Sequence, residues 1–345
     1  MNTKVVFYES DAGEEKIFRE LLGDTGGGME MTFCPDRLSS ENVAMAGEAE
    51  VLSVFVGSMV TRELLEHMPH LKHIVTRSTG TDHIDLVALK ERGISLSSVP
   101  SYGARAVAEH AFALLLSLSR RTFEAHDQIQ EEGKFEVGPL QGFDLFGKTL
   151  GVIGTGKIGK NSARIGRGFG MNILLVDMYP DEKFASEVEG KYLPLDDLLA
   201  QADIITLHCP YTKKNHHMLG AVQFGKMKRG VTIINTARGE LMDTIALVGA
   251  LESGVVAHVG LDVLEGERML KDEAELVLHE HKIDELKTII ADHVLVDDKR
   301  VLITPHIAFH SLEADRERLA TTADNIKSFL SGTPQNEIKL GDKTY

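Results

Sequence analysis

A glycine triplet set between a strand and a helix constrains this chain more than any other feature. Thr149-Leu-Gly-Val-Ile-Gly-Thr-Gly-Lys-Ile-Gly159 runs from an apolar strand pattern into glycines at G-x-G-x-x-G spacing, and Ile173-Leu-Leu-Val-Asp177 follows as a second apolar strand ending on an acid. Gly154 permits the tight turn out of the strand, Gly156 offers no side chain to hold a pyrophosphate off the backbone, and Gly159 lets the new helix pack close. Lys157 and Ile158 open that helix, whose free N–H groups and positive dipole end face the phosphates. Asp177 would accept hydrogen bonds from the adenosine ribose and repel a 2′-phosphate, so the pattern favours NAD over NADP. A glycine triplet alone also marks ordinary loops; the strand before it, the helix after it and the acid beyond argue for a dinucleotide site.

The rest of the chain repeats the same alternation. Strand patterns occur at Lys4–Tyr8, Met29–Phe33, Val51–Phe55, His73–Thr76 and Ser95–Val99, with a clear helix at Thr61–His67. From residue 148 they resume at Leu150–Ile153, Ile173–Val176, Ile204–His208, Val231–Asn235, His258–Leu261 and Val301–Thr304. Strands separated by helices imply parallel sheets covered on both faces, and six strands make two mononucleotide-binding halves. Between the two series, Ala104–Arg121 is apolar around most of its circumference and is expected to be buried between domains or against a second subunit. Residues 131–143 read as a loop crossing between domains, Leu270–Lys299 as an extra surface helix and loop, and Ser311–Leu330 as an amphipathic scaffold helix.

Composition excludes several classes of function. With 345 residues, 43% of them hydrophobic, the chain can bury two cores, and a net charge of −15 with no Lys or Arg run beyond a pair opposes nucleic acid as a partner. No long apolar segment suggests a membrane span or signal peptide, and two cysteines, Cys34 and Cys209, suit a reducing cytosol, so a cytoplasmic protein is expected. His279-Glu-His281 lacks the i, i+4 spacing of a helical metal site, and no metal is expected.

Chemistry-bearing residues stand at the ends of successive strands. Thr79 and Gly80 follow the fourth strand, where backbone N–H groups could cradle a small carboxylate, and Tyr102 lies in the next loop. In the second series His208-Cys209-Pro210, Asn235-Thr236-Ala237-Arg238, Asp262 to Glu267 and Pro305-His306 close their respective strands. Taken singly, Arg238 could be a surface ion pair, Glu267 a solvated acid and His306 a packed loop residue. Their common position at one sheet edge argues for a site. Glu109 and His110 read as capping or packing groups.

These segments resemble the D-specific 2-hydroxyacid dehydrogenase family over nearly the whole chain. The resemblance is carried by Arg77-Ser-Thr-Gly-Thr-Asp-His-Ile-Asp85, Val99-Pro-Ser-Tyr102, Val107-Ala-Glu-His110, the glycine triplet, Ile234-Asn-Thr-Ala-Arg-Gly239, Leu261-Asp-Val263 and Thr304-Pro-His306. Tyr102 and Ala308-Phe309 look most like the D-lactate dehydrogenase branch. Phe309 stands where glyoxylate and hydroxypyruvate reductases have tryptophan, and the regulatory domain of long phosphoglycerate dehydrogenases is not expected.

The resemblance implies two doubly wound parallel-sheet α/β domains: a Rossmann NAD-binding domain, residues 104–307, inserted into a flavodoxin-like substrate domain, residues 1–103 and 308–345. It implies a homodimer built on the Ala104–Arg121 region, a small 2-ketoacid or 2-hydroxyacid as substrate, and Arg238, Glu267 and His306 as the catalytic trio. Thr79, Gly80 and Tyr102 would bind substrate. Cys209, Pro210, Asn215, Thr236, Ala237 and Asp262 would join the glycines and Asp177 around NAD, with Asp262 either assisting near the nicotinamide or holding the site together. One departure concerns the pocket: relatives place an aromatic after the Val51–Val56 strand, where this chain has Gly57-Ser58, which would widen it. Glyoxylate, hydroxypyruvate or phosphoglycerate chemistry, or a non-catalytic NAD-sensing protein of the same fold, are the competing readings.

Overall fold

The computed structural model describes residues 2–23, 28–100, 102–267 and 283–340. They fall into two compact units, Met1–Gly103 with Ser311–Tyr345, and Ala104–His310.

The first unit holds β1 (Thr3–Phe7), β2 (Met29–Phe33), β3 (Val51–Val54), β4 (His73–Thr76) and β5 (Ser95–Ser97). They form a parallel sheet in the order β2-β1-β3-β4-β5, the flavodoxin-like order. β3 and β4 are buried at every residue, as central strands covered on both faces must be. The helices between them, α1 (Ala12–Leu22), α2 (Arg62–Glu66) and α3 (Leu86–Arg92), start on Asp11, Thr61 and Asp85, whose side chains accept from first-turn N–H groups. The C-terminal helix Leu312–Leu330 returns to this unit. Its Leu319, Ala323 and Ile326 pack in one cluster with Val5, Phe7, Phe18, Val51 and Val75.

The second unit holds β6 (Thr149–Ile153), β7 (Asn172–Val176), β8 (Lys191–Tyr192), β9 (Ile204–Leu207), β10 (Val231–Asn235), β11 (Val256–Leu261) and β12 (Val301–Ile303). Its parallel sheet runs β12-β11-β10-β9-β6-β7-β8, so strand order reverses between β6 and β9 and opens a crevice at their carboxyl ends. β8 is a seventh strand beyond the six expected; two residues carry no readable alternation.

Three expectations are corrected here. The helix α4 (Ala104–Arg120) buries its apolar face inside this unit, where Ala111, Phe112, Leu114, Leu115 and Leu118 share a core with Leu150, Val152, Ile173 and Ile234. Gly260 makes that approach possible, since a Cβ there would stand 3.0 Å from Leu114 Cβ. Residues 131–143 also lie within this unit, running from the last two residues of α5 (Thr122–Glu132) through a turn at Gly138–Leu140, and do not form a crossing between domains. The helix Ile283–Asp297 is more than a surface addition, because Leu295 is buried in the main cluster with Val259 and Leu261. His279 and His281 lie outside the described residues.

Candidate active site

The three glycines of the triplet each meet a different constraint. Gly154 turns at φ +92, and a Cβ on it would stand 2.6 Å from Cys209 N, which brings the loop after β9 against the turn. A Cβ on Gly159 would fall 1.9 Å from Gly154 O. Gly156 is exposed with open space around it and begins α6 (Lys157–Gly168) without a side-chain cap. An uncapped helix start with no acid in its first turn fits a diphosphate. Lys157 and Ile158 are its first two residues.

Asp177, just past β7, is held in place. Its Oδ2 accepts from Thr155 N at 2.6 Å and Thr155 Oγ1 at 3.0 Å, and its Oδ1 accepts from Tyr179 N at 2.9 Å. A carboxylate offers about four acceptor positions, which leaves Oδ1 able to take a ribose hydroxyl. Thr155 Oγ1 is also 2.9 Å from Tyr192 OH on β8, so the unforeseen strand braces the acid.

The other residues expected around the cofactor divide into two groups. Cys209 and Pro210 lie beside the triplet, and burial pushes the Cys209 thiol up to about 11, so it stays neutral. Asn215 uses its amide within its own loop, accepting from Thr212 N at 2.6 Å and donating to Pro210 O at 2.8 Å. Thr236 and Ala237 follow β10 in a turn clamped by Asn235, the fully buried last residue of the strand. Its Oδ1 accepts from Ala237 N at 2.9 Å and its Nδ2 donates to Arg238 O at 2.8 Å.

Arg238, Glu267 and His306 follow β10, β11 and β12, which are adjacent in the sheet. Arg238 is half-buried and donates from Nη1 to Ala237 O at 2.7 Å. The next residue explains how its loop meets that of Glu267: a Cβ on Gly239 would stand 2.1 Å from Leu264 C and 2.3 Å from Glu265 N. Only a glycine lets these two backbones touch. Glu267 faces the imidazole of His306, with both carboxylate oxygens 3.1 Å from Nδ1. With the proton on Nδ1, Nε2 is left as the reactive nitrogen, and the His306 side chain is 34% exposed.

His306 itself sits at φ +58, a left-handed conformation that a non-glycine residue needs help to hold. Asp262 supplies that help. The buried acid accepts from Ile307 N at 2.9 Å, Ala308 N at 2.8 Å and Thr304 Oγ1 at 2.5 Å. Burial alone would push its carboxyl up, but hydrogen bonds from His110, Thr304, Ala308 and Ile307 outweigh it and hold it below its ordinary value. His110, read as a capping or packing group, instead reaches Thr304 Oγ1 at 3.0 Å. Asp262 thus helps to hold the site together by fixing the His306 loop.

In the first unit the loop after β4 is braced by side chains. Thr79 Oγ1 donates to Val99 O at 2.9 Å and Ser78 Oγ to Gly80 O at 2.6 Å, while the N–H groups of Thr79 and Gly80 have no acceptor among the described residues. Tyr102 is half-buried beyond β5. β3 ends at Val54, so Phe55 is the first residue after it; an aromatic does stand there, contrary to the expected departure.

His216, His217 and Glu265 bring metal-ligand atoms within 4.8 Å of one another. The two rings stack at 3.8 Å and 23°, and Glu265 already accepts from His217 Nε2 and Thr244.

Residues 112–308 match the family model of the D-isomer specific 2-hydroxyacid dehydrogenase NAD-binding domain. A 2-hydroxyacid dehydrogenase homolog of Haemophilus influenzae is 37% identical, covering 98% of this chain and 99% of its own. The chain belongs to the D-isomer specific 2-hydroxyacid dehydrogenases. The D-lactate dehydrogenase of Escherichia coli K12 is 35% identical over 97% of this chain and 99% of its own. The crystal structure of D-lactate dehydrogenase from Aquifex aeolicus, complexed with NAD and lactic acid, superposes with a TM-score of 0.83 at 34% identity, covering 98% of this chain and 100% of that one. The chain therefore lies near the D-lactate branch of this dehydrogenase family, whose members are NAD-dependent oxidoreductases, and it carries the family's NAD-binding domain. No helix among the described residues is long and apolar enough to cross a membrane.

Proposed function

We propose that this dehydrogenase interconverts a small 2-ketoacid, pyruvate or a near homologue, with its D-2-hydroxyacid, and that His306 is the general acid and base. The observation that carries this reading is the His306–Glu267 pair, in which a carboxylate accepts the hydrogen bond of Nδ1–H and leaves Nε2 to the substrate oxygen. NADH, when bound, supplies the hydride that adds to the carbonyl carbon. His306 gives its Nε2 proton to the oxygen, and Glu267 holds the ring and stabilises the imidazolium that precedes transfer. Arg238 presents a planar fork to the substrate carboxylate. In the first unit, Thr79 and Gly80, through their backbone N–H groups, and Tyr102 are the proposed substrate-binding residues.

Gly154, Gly156, Lys157, Ile158 and Gly159 would hold the diphosphate, Asp177 the ribose, and Cys209, Pro210, Thr236 and Ala237 the walls around the remainder. Asn215 shapes one of those walls and Asp262 holds the His306 loop. In this reading the first unit is the substrate domain and the second the nucleotide domain. A homodimer is supported by exposed Phe123, Ile129, Phe135, Val137 and Phe146 on and after α5. The two free cysteines suit a reducing cytosol.

The direct test follows NADH absorbance with pyruvate, 2-ketobutyrate, phenylpyruvate, glyoxylate and hydroxypyruvate. The expected result is fastest turnover with pyruvate or 2-ketobutyrate. Turnover of glyoxylate or hydroxypyruvate alone would move the assignment to the reductase branch, and none at all to an NAD-sensing role.

A further inference from the structure

At the carboxyl end of β1 the chain turns through Glu9 with φ +53. A residue with a side chain holds that conformation only where its surroundings fix it. Here the backbone is gripped on both sides. Glu9 N donates to Asp36 O at 2.9 Å. Its carbonyl accepts from Arg77 Nη2 at 2.8 Å, and the same nitrogen reaches Tyr8 O at 2.7 Å. The Arg77 guanidinium is fully buried and, with that of Arg318, lies over the ring of Phe55. Burial pushes it down to about 10, so it remains a cation at neutral pH.

The Glu9 side chain runs along the sheet edge to the end of β3. Oε2 accepts from Phe55 N at 3.0 Å and Ser58 Oγ at 2.6 Å, and Oε1 accepts from Gly57 N at 2.9 Å. Hydrogen bonds to a carboxylate are about twice as strong as neutral ones, and three of them from one short loop define its shape. Gly57 belongs to the same fit. A Cβ there would stand 2.3 Å from Glu9 Oε1 and 2.8 Å from Arg37 Nε, so the loop closes on the acid only because that position is bare.

β3 and β4 are neighbours, so Phe55–Ser58 leaves the sheet beside Thr79–Gly80. Arg77, which is bonded back to Glu9, precedes that second loop directly. One residue at the end of β1 therefore ties together the loop whose N–H groups are offered to a carboxylate and the loop next to it. The part of a 2-ketoacid beyond its carbonyl has to be accommodated near that neighbour, because ligands of such sheets sit outside the strand ends.

We propose that Glu9 is a specificity-determining residue that acts through Phe55–Ser58: it fixes the room left for the substrate side chain and so decides which 2-ketoacid is preferred. The proposal rests on the 2-ketoacid reading above. Glu9 is a positioning residue, and its signature is a change in selectivity, which a merely structural carboxylate would not produce.

The test compares the unmutated protein with Glu9→Gln, Glu9→Ala and Ser58→Ala on pyruvate, 2-ketobutyrate and phenylpyruvate at saturating NADH. Glutamine keeps one acceptor oxygen and turns an amide NH₂ toward the loop's donors. The ratio of kcat/KM for phenylpyruvate to that for pyruvate is expected to shift by about tenfold or more in both Glu9 variants, chiefly through KM. Ser58→Ala, which removes one hydroxyl and keeps the test open if Glu9→Ala does not fold, shifts it about two- to fivefold in the same direction. The dissociation constant for NADH, read by fluorescence titration, stays unchanged. An unchanged ratio overturns the proposal, and so does a fall by one common factor on all three acids, complete loss included. If the unmutated protein binds NADH but reduces none of the acids, the 2-ketoacid reading has failed first, before any variant is compared.

Discussion

Asp262 grips the chain immediately beyond His306. One carboxylate oxygen accepts from Ile307 N and the other from Ala308 N, so the histidine is held at φ +58 by an acid that never touches its ring. Asp262→Ala would leave both peptide groups and the Thr304 hydroxyl without their acceptor. Releasing a strained conformation of this kind corresponds to about 1–3 kcal/mol, so kcat should fall by roughly ten- to a hundredfold. Asp262→Asn, with one carbonyl oxygen left, should lose less, and steady-state kinetics on both variants checks the order.

Replacing His306 with Ala removes the proton donor and should lower kcat by about 10² to 10⁴. Glu267→Gln keeps the shape but not the charge and should cost less than that. Arg238→Lys should reduce kcat/KM despite the retained charge, because an ammonium cannot make the paired contacts of a guanidinium. Near-normal turnover by His306→Ala on every accepted ketoacid would remove it from the proton transfer.

Asp177→Ala should relax the preference for NADH over NADPH by about tenfold or more, since the acceptor for the ribose and the charge opposing a 2′-phosphate disappear together. Thr155 N and Tyr179 N lose their acceptor in the same change, so a modest fall in Tm should accompany it. Paired measurements of kcat/KM with the two cofactors decide the point.

The buried acid Asp292 makes stability depend on pH. It accepts from Gly266 N at 2.9 Å, yet burial, partly opposed by that bond and reinforced by the charge of Glu265, raises its carboxyl to about 7. An unfolded Asp ionises near pH 4. Between about pH 4 and 7 the folded protein retains a proton that the unfolded chain has lost, so stability declines as pH rises through that window. Asp292→Asn keeps the oxygen facing Gly266 and cannot ionise. It should match the unmutated protein near pH 4 and exceed its stability at pH 8 by at most about 4 kcal/mol, as read from denaturant midpoints.

Gly239→Ala should disturb the site without altering any functional group. Its methyl would stand 2.1 Å from Leu264 C, and backbone cannot yield as a side-chain tip does. The loops of Arg238 and Glu267 must then part. A fall in kcat of about a hundredfold is expected, with soluble expression and a lowered Tm confirming that the chain still folds.

Local order was largely readable from the chain itself. The glycine triplet, the alternation of strand and helix, and the acid after β7 are short-range patterns, because a turn, an amphipathic face or an N-cap depends on residues within a few positions of one another. Those patterns were enough to indicate two parallel α/β sheets and to put Arg238, Glu267 and His306 at strand ends. They did not reveal β8, whose two residues are too short for a period, or that α4 is buried in its own unit, because an apolar face does not name its partner.

What folding alone decided is how distant residues hold one another. Asp262 with Ala308, His110 with Thr304, and Glu9 with Ser58 are hydrogen-bonded across long stretches of chain. Gly239 is required by the backbone at Leu264. Such pairings follow from strand order and sheet register, which no spacing in one sequence encodes. The residue types of the chemistry were therefore written locally, while their alignment was set by the tertiary fold.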